Sequence, residues 1–274
     1  MKKTALFVVL AVTLGLLTAC THSSGTYILS SPAPVLDRIE KRGEINIGTA
    51  ASMPPLNMTT KDGKIIGMEA DLARYLADSM GVQLNLQAMP FKDLISAVES
   101  GKLDMVLSGV TITAKRNRRV AFVGPYFVSG KGVLTSRATL AAISNPNDID
   151  KKEFKITALE GSTSEEFVKT IISKAQYVPA KDYDSGVAMV REGRVDAMVA
   201  DHPICVVSAA RYPEELFTIV SPFTYEPIGV VLPANDPLYI NLVQNFFNTL
   251  EDSGALENLR EAWFRKGDWW DKIK

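Results

Sequence analysis

Phe91-Lys92-Asp93-Leu94-Ile95-Ser96-Ala97-Val98-Glu99-Ser100-Gly101-Lys102-Leu103-Asp104 aligns without gaps on Tyr183-Asp184-Ser185-Gly186-Val187-Ala188-Met189-Val190-Arg191-Glu192-Gly193-Arg194-Val195-Asp196. In both stretches an aromatic residue opens a helical pattern and a Gly closes it. A basic residue follows, and an Asp leads into an apolar strand. Gly just past a helix end is ordinary capping chemistry, so convergence on one helix-to-strand turn is an alternative. The correspondence over the whole stretch points instead to two lobes of like design.

The neighbouring segments extend the parallel. Before the first copy, Glu44 to Thr49 reads as a buried strand. Glu69 to Met80 carries Leu72, Leu76 and Met80 at helical spacing, and Val82 to Ala88 alternates like a strand. Asp104 to Leu107 follows as a buried strand. Around the second copy, Phe154 to Leu159 is a strand, Ser164 to Lys174 a helix, Gln176 to Val178 a strand, and Val195 to Ala200 another. Strands alternating with helices predict an α/β fold with helices layered on sheets. Leu250 to Lys274 reads as a closing helix followed by Trp269-Trp270, either packed on the first lobe or exposed as a partner contact.

Open α/β sheets take ligands beyond the carboxyl ends of their strands, so the residues there are the candidates. They are Ala50 to Leu56, including Met53; Ser108-Gly109-Val110-Thr111 through Arg116; Glu160-Gly161-Ser162-Thr163; and Asp201. One guanidinium, several hydroxyls and backbone donors, and one carboxylate together complement a zwitterion. Arg116 can fork onto a carboxylate. Ser162 and Thr163 open a helix whose free N–H groups favour an anion. Asp201 can pair with an ammonium group. Each has a plainer reading: Arg116 sits in a basic run with Lys115, Arg118 and Arg119. Ser162 with Glu165, or Thr163 with Glu166, makes a capping box, and Asp201 can cap the turn at His202-Pro203.

The chain starts with Lys2-Lys3, an apolar run from Ala5 to Leu17, and Leu17-Thr18-Ala19-Cys20. This is the pattern of a secretory signal, and the tetrad resembles the lipobox of bacterial lipoproteins, which implies acylation of Cys20. Thr21 to Pro34 is rich in Thr, Ser, Gly and Pro and reads as a tether. Loss of residues 1–19 leaves 28 basic against 31 acidic residues, a net −3. That balance argues against a nucleic-acid partner. Beyond Cys20 the one cysteine is Cys205, in an apolar stretch where a buried thiol is expected. The two histidines form no metal-ligand cluster, and no cofactor is expected.

The chain resembles the family 3 extracellular solute-binding proteins, which serve amino-acid ABC transporters. The matching stretches run in order over most of residues 36–266. They are Gly67-Met68-Glu69-Ala70-Asp71-Leu72-Ala73, Gly101 to Asp104, Thr111 to Arg116, Phe122-Val123-Gly124-Pro125-Tyr126, Gly161 to Glu166, and Arg194 to Asp201. The resemblance implies a type II periplasmic-binding fold: two α/β lobes joined by two hinge strands, closing on a ligand. It divides the chain into a signal peptide (1–19), a tether (20–35), a first lobe (36–129 plus 227–274) and a second lobe (130–226). It implies that Arg116 and Thr163 bind an α-carboxylate, and that Thr111, the carbonyl near Ser108, and Asp201 take the α-amino group. Relatives often carry aromatics where this chain has Met53 and Leu56. Phe91 keeps one that lines the side-chain pocket in some of them. Walls of Met53, Leu56 and Phe91 favour an uncharged ligand side chain.

The expected role is capture of an amino acid or similar zwitterion and delivery to an ABC permease, by a monomer held by lipid to a bacterial membrane, at the periplasm or cell surface. Two alternatives remain: a sensory partner of a receptor, and a cyclohexadienyl dehydratase, an enzyme of the same family. The latter would use Glu165 in Gly161-Ser162-Thr163-Ser164-Glu165 as its acid.

Overall fold

A computed structural model describes residues 31–267 and 269–273. The expected signal segment, Cys20 and most of the tether lie outside these residues. The helix Pro34–Arg42 starts two residues inside the stretch read as tether. The cause is Asp236: its carboxylate accepts the Val35 and Leu36 backbone N–H groups at 2.8 and 3.1 Å, satisfying the helix start from 200 residues away.

The strands are β1 (Glu44–Thr49), β2 (Ser52–Met53), β3 (Asn57–Thr59), β4 (Ile65–Ile66), β5 (Gln83–Ala88), β6 (Met105–Val106), β7 (Ala121–Ser129), β8 (Lys131–Thr135), β9 (Lys155–Leu159), β10 (Gln176–Ala180), β11 (Ala197–Asp201), β12 (Phe217–Thr218) and β13 (Glu226–Leu232). One sheet has the order β5-β1-β6-β13-β7, another β10-β9-β11-β8-β12, and β2, β3 and β4 form a small third sheet. In the first, β1 is parallel to β5 and β6, and β13 runs antiparallel to β6 and β7. In the second, β9 is parallel to β10 and β11, and β8 runs antiparallel to β11 and β12. The two sheets therefore share one plan, with helices between consecutive parallel strands as crossovers require. The chain passes between them twice, at Gly130 between β7 and β8 and again between β12 and β13. This is the two-lobe, type II architecture, and β7 and β13 pair side by side as its hinge strands.

The repeated sequence maps onto equivalent structure. Each copy lies between the second and third parallel strands of its sheet. Gly101 and Gly193 both turn the chain with left-handed φ values of 74° and 67°. Asp104 donates its N–H to the Asn46 carbonyl (2.9 Å), and its carboxylate accepts the Asn46 N–H (2.8 Å). Asp196 does the same with Lys155, at 2.8 Å each way. Each Asp thus clasps its strand to the central one. The copies differ at their starts. Asp182 caps the helix Tyr183–Arg191 in a reciprocal box with Ser185. The first copy follows Pro90 with no side-chain cap and opens as a 3-10 turn, Phe91–Asp93, before the helix Leu94–Glu99.

Two readings need correction. The helix expected over Ser164 to Lys174 spans Thr163–Ile171, because Asp150 draws the Lys174 N–H out of line with a 2.7 Å bond. The closing helix is Ala255–Phe264 rather than a helix from Leu250, which belongs to the last turn of the preceding helix, Pro237–Asp252. Of the two expectations for the Trp pair after it, packing holds, with Trp269 buried and Trp270 partly so. Trp269 and Trp270 stack 4.6 Å apart, and Trp269 is buried in a cluster with Met58, Ile273 and Val207. Val207 belongs to the helix His202–Arg211, which follows a strand of the second sheet, so the tail touches both lobes. Cys205 is buried, and burial pushes its thiol up to about 12.

Asp104 is buried and holds Arg38 at 2.7 Å and Arg42 in addition to the clasp. Asp196 is partly exposed and holds Arg137 at 2.7 Å. Asp104→Ala is expected to lower unfolding free energy by about 3 kcal/mol and Asp196→Ala by about 1 kcal/mol, read from urea denaturation.

Candidate ligand-binding site

The expected site residues lie where the two lobes face each other. Thr113 caps the short helix Ala114–Asn117 by accepting the Arg116 N–H at 3.2 Å, which aims the Arg116 side chain back along the loop. Its Nη1 donates to the Thr111 carbonyl at 2.8 Å. Its Nη2 crosses to the second lobe and donates to the Gly161 carbonyl at 3.2 Å. Phe91 lies under the guanidinium, 5.8 Å from ring centre to Cζ, in cation–π range. Burial draws the Arg116 pKa down from its ordinary value, opposed by the charges of Asp201, Glu166 and Glu226.

Thr111 and Thr163 meet across the cleft, their hydroxyl oxygens 3.3 Å apart. Thr163 also donates to Glu226 at 3.2 Å. Behind it lies a cluster the sequence reading did not find. Lys131 is fully buried, with its ammonium 3.3 Å from Asp201 and 3.5 Å from Glu226. Asp201 accepts the Tyr183 hydroxyl at 2.9 Å on its other oxygen. Burial, then the Asp201 charge, pushes the Tyr183 phenol well above its ordinary value, so it stays a neutral donor. A signal was present. Lys131 is a lone charge entering the apolar run Gly132-Val133-Leu134, and Glu226 opens another, Pro227 to Leu232.

Other expected residues serve the walls. Ser162 caps the helix Thr163–Ile171 by accepting the Glu165 N–H, and its hydroxyl donates to the Leu159 carbonyl at 2.6 Å. Glu165 closes half a box, taking the Gly161 N–H at 2.6 Å and Lys169 at 2.6 Å. Ser108 accepts the Ala50 N–H at 2.8 Å, tying the first loop to the strand end. Gly109 turns with φ 61°, and a Cβ there would lie 2.2 Å from the Met53 sulfur. Met53 is buried in one cluster with Leu56.

Glu69 organises this wall. Its buried carboxylate accepts Asn57 Nδ2 at 2.5 Å, the Gly109 N–H at 2.7 Å and the Tyr126 hydroxyl. Asn57 in turn accepts the Ser52 and Met53 N–H groups at 3.1 and 3.3 Å. In the sequence, Glu69 stands out only as part of the stretch Gly67 to Ala73.

Cavities flank the contact between lobes. One of about 390 Å³ is lined by Ala50, Ser52 and Phe91 from one side and Leu159, Glu160 and Asp182 from the other. A second, of about 270 Å³, lies against Ser52, Pro54, Tyr183 and Ile204. The first falls in the size range of small-ligand sites. Lys92–Glu160 at 2.9 Å and Lys115–Glu166 at 3.5 Å join the rims. Among the described residues no cluster could hold a metal ion, and no helix is long and apolar enough to cross a membrane.

Residues 45–266 match the model of the bacterial extracellular solute-binding proteins, family 3, and the chain belongs to that family. It is similar to the L-cystine-binding protein of Escherichia coli strain K12, 25% identical over 233 residues, covering 84% of this chain and 86% of that one. It is likewise similar to the cyclohexadienyl dehydratase of Pseudomonas aeruginosa, 25% identical over 247 residues, covering 89% and 91%. A putative ABC-transporter binding component from Wolinella succinogenes, solved with lysine, superposes with a TM-score of 0.80 at 31% identity, covering 84% of this chain and all of that one.

Burial raises the Glu69 pKa above the ordinary 4.5, against its three hydrogen bonds. The folded state then holds this proton more tightly than the unfolded state. Its contribution to stability is full below pH 4.5 and falls as pH rises above it. Urea midpoints of wild type and Glu69→Gln from pH 4 to pH 8 are expected to show the wild type losing stability relative to the variant as pH rises.

Proposed function

We propose that the chain is an exported, lipid-anchored binding protein that closes on an amino-acid-like ligand and hands it to an ABC-transporter permease. One observation carries the reading: Arg116 and Thr111 from one lobe converge with Thr163 from the other at the carboxyl ends of strands, with Asp201 behind them. Arg116 and Thr163 hold the ligand carboxylate. Thr111, the Ser108 region and Asp201 face its amino group. Met53, Gly109 and Phe91 shape the side-chain pocket, and Ser162 orients the helix that presents Thr163. The first lobe comprises 36–129 and 227–274 and the second 130–226, pivoting where β7 passes to β8 and where the chain returns to β13. The names of the relatives support this reading, as cystine and lysine both carry α-amino and α-carboxylate groups. Cys20 carries the lipid after removal of residues 1–19. The protein acts as a monomer at the periplasmic or outer face of a bacterial membrane.

The dehydratase alternative has a relative behind it, but the chemistry at Glu165 opposes it. Desolvation pushes the Glu165 carboxyl up, yet Lys169 and the Gly161 N–H outweigh it and hold the pKa below its ordinary value. A general acid needs the opposite shift. The protein is a binder, not an enzyme.

A thermal-shift screen of residues 21–274 against the amino acids, prephenate and arogenate tests this. An amino acid is expected to raise the melting point by mass action. Arg116→Ala or Asp201→Ala should weaken that ligand by roughly 10- to 100-fold, the worth of a charge-assisted hydrogen bond. Turnover of prephenate or arogenate would overturn the binder reading.

A further inference from the structure

The buried ammonium of Lys131 lies at the position where the proposed function needs a free carboxylate. Lys131 and Asp201 are direct partners in the antiparallel register of β8 and β11, so their proximity is fixed by backbone pairing rather than by a flexible arm. Glu226, the first residue of the hinge strand β13 and itself partly buried, completes an acid–base–acid row with the buried Lys131 of β8 and Asp201 of β11. Each carboxylate has a second donor: Tyr183 on Asp201 at 2.9 Å, and Thr224 on Glu226 at 3.0 Å. The charged groups facing the site are then Arg116 and Lys131 against Asp201 and Glu226, a neutral balance. The rim pairs Lys92–Glu160 and Lys115–Glu166, and the pair Lys181–Asp182 at the cavity wall, are themselves neutral.

A closed cleft strips water from whatever it holds, and an unbalanced charge inside it is costly. A site with one guanidinium and two free acids has an excess negative charge that a basic ligand side chain would cancel. Lys131 supplies that cation from the protein. We infer that Lys131 is a specificity-determining residue, an internal counter-ion that sets the site for amino acids with uncharged side chains and excludes arginine and lysine. The inference rests on the amino-acid reading and extends it to a ligand class. It draws on charge balance, independent of the apolar walls at Met53 and Phe91.

Removing one charge of either sign should move preference in a predictable direction, because selectivity is a difference between affinities. Calorimetric titration with alanine, glutamine, methionine, arginine, lysine and glutamate is the test, on wild type, Lys131→Met and Glu226→Gln. Wild type is expected to prefer an uncharged member. Lys131→Met should shift preference toward arginine or lysine, and Glu226→Gln toward glutamate, each by about 10-fold or more relative to the uncharged ligand. Lys131→Arg, which keeps the charge, should retain the wild-type ranking. If Lys131→Met does not fold, Glu226→Gln and Lys131→Arg carry the test. Tightest binding of arginine or lysine by wild type, or an unchanged ranking in the folded charge-removing variants, overturns the inference and leaves the amino-acid reading standing. No binding of any amino acid by wild type overturns both.

Discussion

Burying a carboxylate without partners costs several kcal/mol, and Glu69 offsets part of this by drawing three donors from three parts of the chain. Asn57 comes from the first loop, Gly109 from the turn after β6, and Tyr126 from β7. Asn57 relays the anchor to the backbone of Ser52 and Met53, and the Gly109 turn delivers Thr111 and then Arg116 to the cleft. The cleft-facing geometry of the first lobe therefore hangs on one buried side chain.

Facing it, the second lobe solves a different problem. Its Thr163 sits on a helix whose start is satisfied internally by Ser162 and Glu165, which leaves the Thr163 hydroxyl to reach Thr111 and Glu226. The rim ion pairs between lobes are solvent-exposed and screened by water. A ligand shifts an equilibrium between open and closed forms only by its own differential affinity for the two.

Part of the fold was legible because its signals are periodic and local. The repeated helix-to-strand unit, its two glycines and its two Asp residues announced the matching sheets, and the limits of β1, β5, β6, β9, β10 and β11 differ from the sequence reading by only a residue or two. The short strands β2 to β4 carry no such signal, and neither do the antiparallel strands β7, β8, β12 and β13, whose pairing is fixed by distant chain. The helix Pro34–Arg42 was not legible, since its start depends on Asp236, far away in sequence. At the site, Arg116, Thr111 and Thr163 could be placed from strand ends. Lys131 and Glu226 could not, because each reads as an ordinary charge at a strand start until β8, β11 and β13 are brought together. Ser162 was read with its capping role beside it, and that is the role its hydroxyl fills.

The order of strands also dictates an order of assembly. All five strands of the second sheet lie within residues 131–218, so that sheet can form from one continuous segment. In the first sheet β7 is joined only through β13, which enters between it and β6. Nearly a hundred residues of intervening chain must be present before that gap is filled, and contacts so distant in sequence form slowly because loop closure comes first. A nascent or newly translocated chain thus carries β6 and β7 as open edges until β13 arrives, and such edges template association with other chains. The inserted lobe, by folding early, brings the ends of that long loop together and shortens the time the edges stay bare.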